Sequence, residues 1–340
     1  MKKTIKKIAK FLLFAVLFLS IYTYTRDVLR NKSEAEALGI VAKQPNNTYD
    51  VILAGPSHMQ VALQPAQLFG EYGIASCNTS TAAQSLPTTN YVLEEMIERH
   101  NPKLVVLDLF CLFLPENYFT YTRFHQAMDN FNMSVTKAKA VSDLVPKDDR
   151  TEFYLNYTLY HGRWKELTKF DYTVQKEYNE KYQVHIGTWP YPDPFVPVYE
   201  KAPVPEIPLK YLGKIVELCK KTDTQLLLTV IPYRADVDNN NTSAILQQQM
   251  YNTVESLAKE WGVDYFNGLH HLEEIGFDFT TDMIEFSHVN ASGANKLSTY
   301  YGKMIKENYD IPDRSEDKKY ADWHDDYMEY LEVQEGANSK

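Results

Sequence analysis

The sequence predicts an α/β fold, a doubly wound (flavodoxin-like), mostly parallel sheet, and three observations carry that reading. Short apolar runs at residues 51–53 and 103–109 are rich in Val, Ile and Leu without polar alternation, the composition of strands covered on both faces. Between such runs lie stretches with apolar residues at helical spacing, such as residues 87–100 and 209–222. Strand and helix signals alternate, the pattern of βαβ units. At 340 residues the chain can bury a sizeable core.

The chain opens with five lysines in its first ten residues, Lys2, Lys3, Lys6, Lys7 and Lys10, followed by an apolar stretch from Phe11 to Tyr24. Counted from Ile8, about 17 largely uncharged residues are the low end of a membrane span. The basic flank predicts a cytoplasmic N-terminus. Residues 22–26 lack the small-x-small pattern of a cleaved signal peptide, so residues 1–26 read as an uncleaved anchor with the rest of the chain extracytoplasmic. Residues 27–47 are polar and read as a stalk. The net charge of −10 argues against a nucleic-acid partner, which needs clustered Lys and Arg.

The α/β domain is expected over residues 48–310. Its first strand ends at Ala54-Gly55-Pro56, where Gly permits a sharp turn and Pro removes a ladder donor. Ser57 and His58 therefore stand at the carboxyl edge of the sheet, where ligands bind in open α/β folds. A short helix at residues 61–69, a strand at 74–78 and a small-residue loop at 79–85 follow. A helix opened by Pro87 leads to the strand at 103–109, with Asp108 near its end. Residues 111–208 are crowded with aromatics and read as an insertion on the carboxyl edge. It has helices at 135–144 and 150–170 and a Pro-rich extended stretch at 189–208. The sheet resumes with a strand at 225–232, a helix at 242–261, a strand at 263–266 and a last helix at 291–309. Residues 311–340 are acidic and read as a poorly ordered or peripheral tail. Cys77, Cys111 and Cys219 are too scattered for a disulfide framework or a zinc site and read as buried thiols.

Residues 281–297, TDMIEFSHVNASGANKL, place His288 in a loop before the last helix, with Glu285 three residues and Asp282 six residues ahead of it. A carboxylate three residues before a histidine can fold back on the imidazole Nδ1 and fix its tautomer. In a doubly wound sheet this loop and the loop after the first strand open on the same edge, so Ser57, His288 and a carboxylate can converge. Glu285 is the expected acid and Asp282 the alternate.

Gly55-Pro56-Ser57-His58 after the first strand, with Glu285-Phe286-Ser287-His288-Val289-Asn290-Ala291-Ser292-Gly293 before the last helix, resembles the SGNH hydrolase superfamily. Within it the likeness is to the membrane-anchored branch handling acyl groups on bacterial surface polymers. That branch includes the alginate O-acetylation proteins and the D protein of teichoic-acid D-alanylation. The family's G-x-S block corresponds to Gly55 and Ser57, with His58 following as it often does in this branch. Its D-x-x-H-x-N-x-x-G block corresponds to Glu285, His288, Asn290 and Gly293, with glutamate in place of aspartate. The stretch Tyr160-His161-Gly162-Arg163-Trp164 also resembles a motif of this branch. The central family blocks that complete an oxyanion hole have no clean match; residues 78–84 and 108–111 occupy their places.

The resemblance implies Ser57 as nucleophile, His288 as base and Glu285 as orienting acid, with no cofactor and no metal. Oxyanion donors would be the Ser57 N–H and groups of Asn78 and Gln84. His58, His161, Arg163, Trp164 and Asn290 would contact substrate. The implied function is extracytoplasmic O-acyl transfer, foremost acetyl, to a cell-surface polysaccharide or removal from it. A polytopic membrane O-acyltransferase would supply the acyl group. Two alternatives stay open at the level of sequence: a non-catalytic glycan-binding or scaffold module, and a metal site built from His58, Asp108, Glu285 and His288.

Overall fold

The computed structural model describes residues 2–30, 36–113, 120–172, 185–234 and 242–338, apart from the side chains of residues 2, 36, 37, 111, 113, 158, 170, 242, 243, 337 and 338. Cys111 is among these exceptions, whereas Cys77 and Cys219 are buried free thiols. Two compact units form, Met1–Glu34 with Ala138–Tyr178, and Ala35–Lys137 with Asn179–Lys340.

The larger unit is built on five parallel strands: β1 (Val51–Ala54), β2 (Ser76–Asn78), β3 (Leu104–Asp108), β4 (Gln225–Val230) and β5 (Asp264–Asn267). Their order is β2-β1-β3-β4-β5, the doubly wound arrangement the sequence predicts. Ile52 stands opposite Cys77 on one side and Val105 on the other, and β1 and β3 are buried throughout. That burial explains why these strands carry aliphatic residues at successive positions. The order reverses at the β1/β3 boundary, where Gly55 follows β1 with φ +151°, a conformation that side chains rarely adopt. A Cβ there would also press on the Asp108 and Met59 side chains.

Helices α3 (Ser57–Ala62) and α4 (Pro65–Tyr72) join β1 to β2, and α5 (Leu86–His100) joins β2 to β3. Ser57 is thus the first residue of a helix, four residues ahead of the helix start expected at residue 61. Within the long β3–β4 crossover lie α6 (Tyr121–Met128), α7 (Val135–Leu144), α8 (Arg150–Tyr154), α9 (Tyr157–Tyr160), α10 (Lys169–Tyr172) and α11 (Glu206–Lys221). Helix α12 (Thr242–Trp261) joins β4 to β5, a one-turn α13 (Leu272–Ile275) follows, and α14 (Ala291–Asn308) returns against α4. Helix α5 packs on α11.

Two terminal expectations are corrected. In the stalk region, α2 (Glu36–Val41) packs on β2, burying Leu38, Val41 and Ala42, while the Arg99 guanidinium donates to the carbonyls of Ala42 and Gln44. The acidic tail forms α15 (Asp322–Asn338), laid along α4. Gly70 admits the Tyr327 ring where any Cβ would collide with it. The buried Tyr330 hydroxyl donates to Gln67 Oε1 at 2.8 Å and accepts from Gln334 Nε2 at 2.7 Å. Ahead of α15, Arg314 holds Asp50 at 2.8 and 3.0 Å. Aromatic contacts buried at helical spacing outweigh the acidic surface of this helix.

The smaller unit gathers α1 (Lys2–Leu29) with α8, α9 and α10. The helix expected over residues 150–170 is broken into short pieces, with a 3₁₀ turn at His161–Lys165. No helix among the described residues is long and apolar enough to cross a membrane, and residues 2–26 of the expected span form most of α1. Within α1 the uncharged run is residues 11–25, about 22 Å at the helical rise. Its Phe11, Leu13, Phe14, Phe18 and Ile21 side chains are exposed.

Candidate active site

Ser57 enters the site because β1 ends at Gly55 and α3 begins one residue after Pro56. As the first helical residue, its N–H is one of those that find no intrahelical acceptor. His288 comes from the loop between α13 and α14. An isolated antiparallel bridge between Met283 and Val289, with Ile284 N–H donating to His288 O at 3.0 Å, closes that loop into a tight turn. Across the carboxyl edge of the sheet, His288 Nε2 lies 2.8 Å from Ser57 Oγ.

On its other side, His288 Nδ1 is hydrogen-bonded to Glu285 Oε1. Glu285 is held in turn by Ser287, whose hydroxyl donates to Oε1 at 2.6 Å and whose backbone N–H donates to Oε2 at 3.0 Å. Burial raises the Glu285 pKa, but the hydrogen bonds from His288 and Ser287 outweigh it and set the value at about 2. Serine, imidazole and carboxylate are therefore linked in one line. Such a line can draw the hydroxyl proton onto Nε2 while an ionised carboxylate stabilises the imidazolium.

Asp282, the alternate acid, is placed elsewhere. It is fully buried and receives Lys296 Nζ at 2.7 Å, Ser292 Oγ at 2.7 Å and the Asp278 N–H at 2.7 Å. Its role is to fix the loop to α14, and the reading of it as a second candidate acid is corrected. Asn290 is likewise committed. Its Oδ1 caps α14 through the Gly293 N–H at 3.1 Å, and its Nδ2 donates to the carbonyls of Gly187 and Thr281 at 2.8 Å each. It shapes the loop, where substrate contact was expected.

The expected oxyanion side chains are also spent. Asn78 Nδ2 donates to Met59 O at 2.9 Å, tying β2 to α3, and its Oδ1 accepts from the Ser80 N–H. Gln84 is buried between Thr81, which donates to its Oε1 at 2.9 Å, and Thr89, which accepts from its Nε2 at 3.1 Å. Asn78 thus anchors α3, and Gln84 fastens the loop after β2 to the start of α5.

His58 is only 2% exposed. Its ring packs against Phe110 and Tyr233 and meets the His288 ring edge-on at 5.2 Å between centroids. Neither ring nitrogen has a hydrogen-bond partner. Burial, reinforced by the nearby His288, holds its pKa well below the usual imidazole value, so the ring is neutral. Leaving a buried donor unsatisfied costs about 1–3 kcal/mol. Below Gly55, Asp108 is fully buried, with Oδ1 accepting from the Ile231 N–H at 3.2 Å. Burial pushes its pKa up to about 7 against these backbone donors.

The site is assembled entirely within the sheet unit. His161, Arg163 and Trp164 belong to the smaller unit, where the Arg163 guanidinium donates to the carbonyls of Leu29 and Arg30 at 2.7 and 2.6 Å and pairs with Asp171 at 3.0 Å. Arg163 thus satisfies the orphan carbonyls at the end of α1, in place of the acceptor-groove role expected for it. Among the described residues no group of three or more His, Cys, Asp or Glu side chains is placed to hold a metal ion. The quartet of His58, Asp108, Glu285 and His288 is not such a site.

Sequence reasoning missed four contributors. Ser287 stands between Glu285 and His288, so its position was the signal. Lys296 carries the charge that claims Asp282. His185, from the end of the insertion, has its ring 6.3 Å from that of His288, and its carbonyl accepts the Ala291 N–H at 2.9 Å. The buried Arg234, after β4, donates its backbone N–H to Phe286 O at 2.8 Å and clasps the carbonyls of Tyr191 and Asp193. These two were not marked by any local pattern.

No family model matches this chain, and no curated protein does. Among solved structures, it resembles a suspected acylhydrolase from Bacteroides fragilis, with 10% sequence identity over 82% of this chain and 97% of that one, at a TM-score of 0.39. At that level the likeness carries no argument about function, and the reading of the site rests on its own geometry.

Proposed function

We propose that this chain is a serine-dependent acyl hydrolase or transferase of SGNH type that forms an acyl-serine at Ser57. The observation that supports this most is the continuous hydrogen-bonded line from Ser57 Oγ through His288 to Glu285. In the first half-reaction His288 Nε2 takes the hydroxyl proton as Ser57 Oγ bonds to the acyl carbon, and the carbonyl electron pair moves onto oxygen. The tetrahedral intermediate then collapses: the bond to the leaving oxygen breaks, and the imidazolium returns its proton to that oxygen. In the second half-reaction, water or a sugar hydroxyl gives its proton to His288 and attacks the acyl-serine. Collapse releases Ser57 with the proton restored.

The finer reading is transfer of an acyl group, foremost acetyl, to or from a cell-surface polysaccharide, with a polytopic membrane O-acyltransferase as donor. Its support is the motif resemblance over residues 55–58 and 285–293. Association with a membrane is supported by the exposed apolar run of α1 beside five lysines, a combination suited to an anionic lipid surface, while placement outside the cytoplasm rests on the motif resemblance. A non-catalytic glycan-binding or scaffold role is the second reading, favoured by the commitment of Asn78 and Gln84 to structural bonds.

Turnover of p-nitrophenyl acetate by the full chain separates the two readings. The enzyme reading expects release of nitrophenol by wild type and loss of at least 100-fold in both Ser57→Ala and His288→Ala. Equal rates in all three proteins would leave the binding reading.

A further inference from the structure

We propose that His58 is the side-chain donor of the oxyanion hole, hydrogen-bonding through a ring N–H to the negative oxygen that forms on the acyl carbon attached to Ser57. This rests on the acyl-serine reading and names the one part of its machinery that the family-type motifs leave vacant.

A tetrahedral intermediate needs more than the Ser57 N–H, since oxyanion sites commonly combine a backbone donor with a side-chain or second backbone donor. Asn78 and Gln84, which stand where such a side chain was expected, already donate to Met59 O and Thr89 Oγ1. The imidazole next along the chain from the nucleophile is in the opposite state. Whichever tautomer a neutral imidazole adopts, it carries one N–H donor, and here that donor is buried without an acceptor. A phenylalanine would fill the slot between Phe110 and Tyr233 without incurring that penalty. Buried polar groups left unsatisfied point to a role outside the resting structure.

The surroundings suit the role. The faces around His58 are the rings of Phe110, Tyr233 and His288, and the Tyr233 hydroxyl is already engaged with Gln247 Oε1 at 2.5 Å. Burial and the neighbouring His288 keep His58 neutral, so it does not compete with His288 for the serine proton. A neutral imidazole kept so by its site can act as an electrophilic hydrogen-bond donor to a developing oxyanion. The reach is short. The His58 ring centroid lies 5.2 Å from that of His288, whose Nε2 is 2.8 Å from Ser57 Oγ, which sets the imidazole beside the histidine that activates the nucleophile.

The test compares an ester with its thionoester, whose sulfur anion accepts hydrogen bonds poorly, in the full chain as wild type, His58→Phe, His58→Gln and Ser80→Ala. The Ser80 hydroxyl, in the loop after β2, is a second buried donor without a partner. The proposal expects His58→Phe to lose about 100-fold in kcat on the ester with little change in KM, and the ester-to-thionoester ratio to collapse. His58→Gln, which restores an N–H, recovers part of both. A structural role would depress both substrates together and leave the ratio unmoved in folded His58→Phe; that result overturns the proposal. So does collapse of the ratio in Ser80→Ala with none in His58→Phe. If wild type forms no acyl-serine on either substrate, the underlying reading fails and the proposal falls with it, an outcome distinct from the other two.

Discussion

Ser287 grips both oxygens of Glu285, its hydroxyl on Oε1 at 2.6 Å and its backbone N–H on Oε2 at 3.0 Å. A glutamate has one more rotatable bond than an aspartate, and this two-point hold removes that freedom. The carboxylate is thereby aimed at His288 Nδ1. The Ser287 hydroxyl also lies 2.9 Å from that nitrogen.

Removing the hydroxyl in Ser287→Ala leaves the backbone donor in place and frees the carboxylate to turn. We expect kcat/KM for acetyl esters to fall about 10-fold, the scale of one charge-assisted hydrogen bond, with Ser287→Thr recovering most of it. Steady-state kinetics on the three proteins checks this.

Glu285→Gln keeps shape but loses charge. With its pKa lowered to about 2, Glu285 is ionised across any working pH. The amide variant should lose about 100- to 10,000-fold in kcat at every pH between 5 and 9, with no recovery on raising pH. Recovery at high pH would contradict the assigned role.

Asp282 tests the division of labour between the two carboxylates. Asp282→Ala strips a fully buried charge from Lys296, Ser292 and Asp278 and should cost about 3 kcal/mol of stability. Its activity should fall because the loop loosens, so the melting temperature drops with it. An equal loss of activity at unchanged melting temperature would make Asp282 the acid.

Asp108 should leave a signature in stability against pH. Its folded pKa, about 7, lies above the usual aspartate value near 3.9, so the folded state holds the proton longer than the unfolded chain. Stability from this group is complete below about pH 4 and declines as pH rises through 7. Asp108→Asn, which keeps the acceptor for Ile231 N–H, should match wild type at pH 4 and exceed it at pH 8 by on the order of a few kcal/mol in urea unfolding.

Much of this architecture is legible in the sequence because a strand buried on both faces has a composition of its own. The runs that became β1, β3 and β4 contain almost nothing but aliphatic residues, and α12 begins and ends where its periodicity says. Ser57 and His288 are legible for a topological reason, since the loops after β1 and before α14 share one edge of the sheet. What was not legible depends on partners far along the chain. Nothing local distinguishes Asp282 from Glu285; Lys296, one helix later, decides it. The charge of residues 311–340 hid the helical spacing of Trp323, Tyr327, Tyr330 and Gln334, which α4 recognises through Gly70 and Gln67. Arg163 looked like a ligand because an arginine beside a tryptophan suits a sugar, yet the carbonyls ending α1 claim it.

The central claim is that Ser57 is a nucleophile activated by His288. Its most direct measurement is intact and peptide mass spectrometry of the full chain after a fluorophosphonate, run beside Ser57→Ala and His288→Ala. The account predicts a single adduct on the peptide containing Ser57 in wild type, none in Ser57→Ala, and labelling at least 100-fold slower in His288→Ala. No adduct on the wild-type protein, or labelling that survives Ser57→Ala, would contradict it.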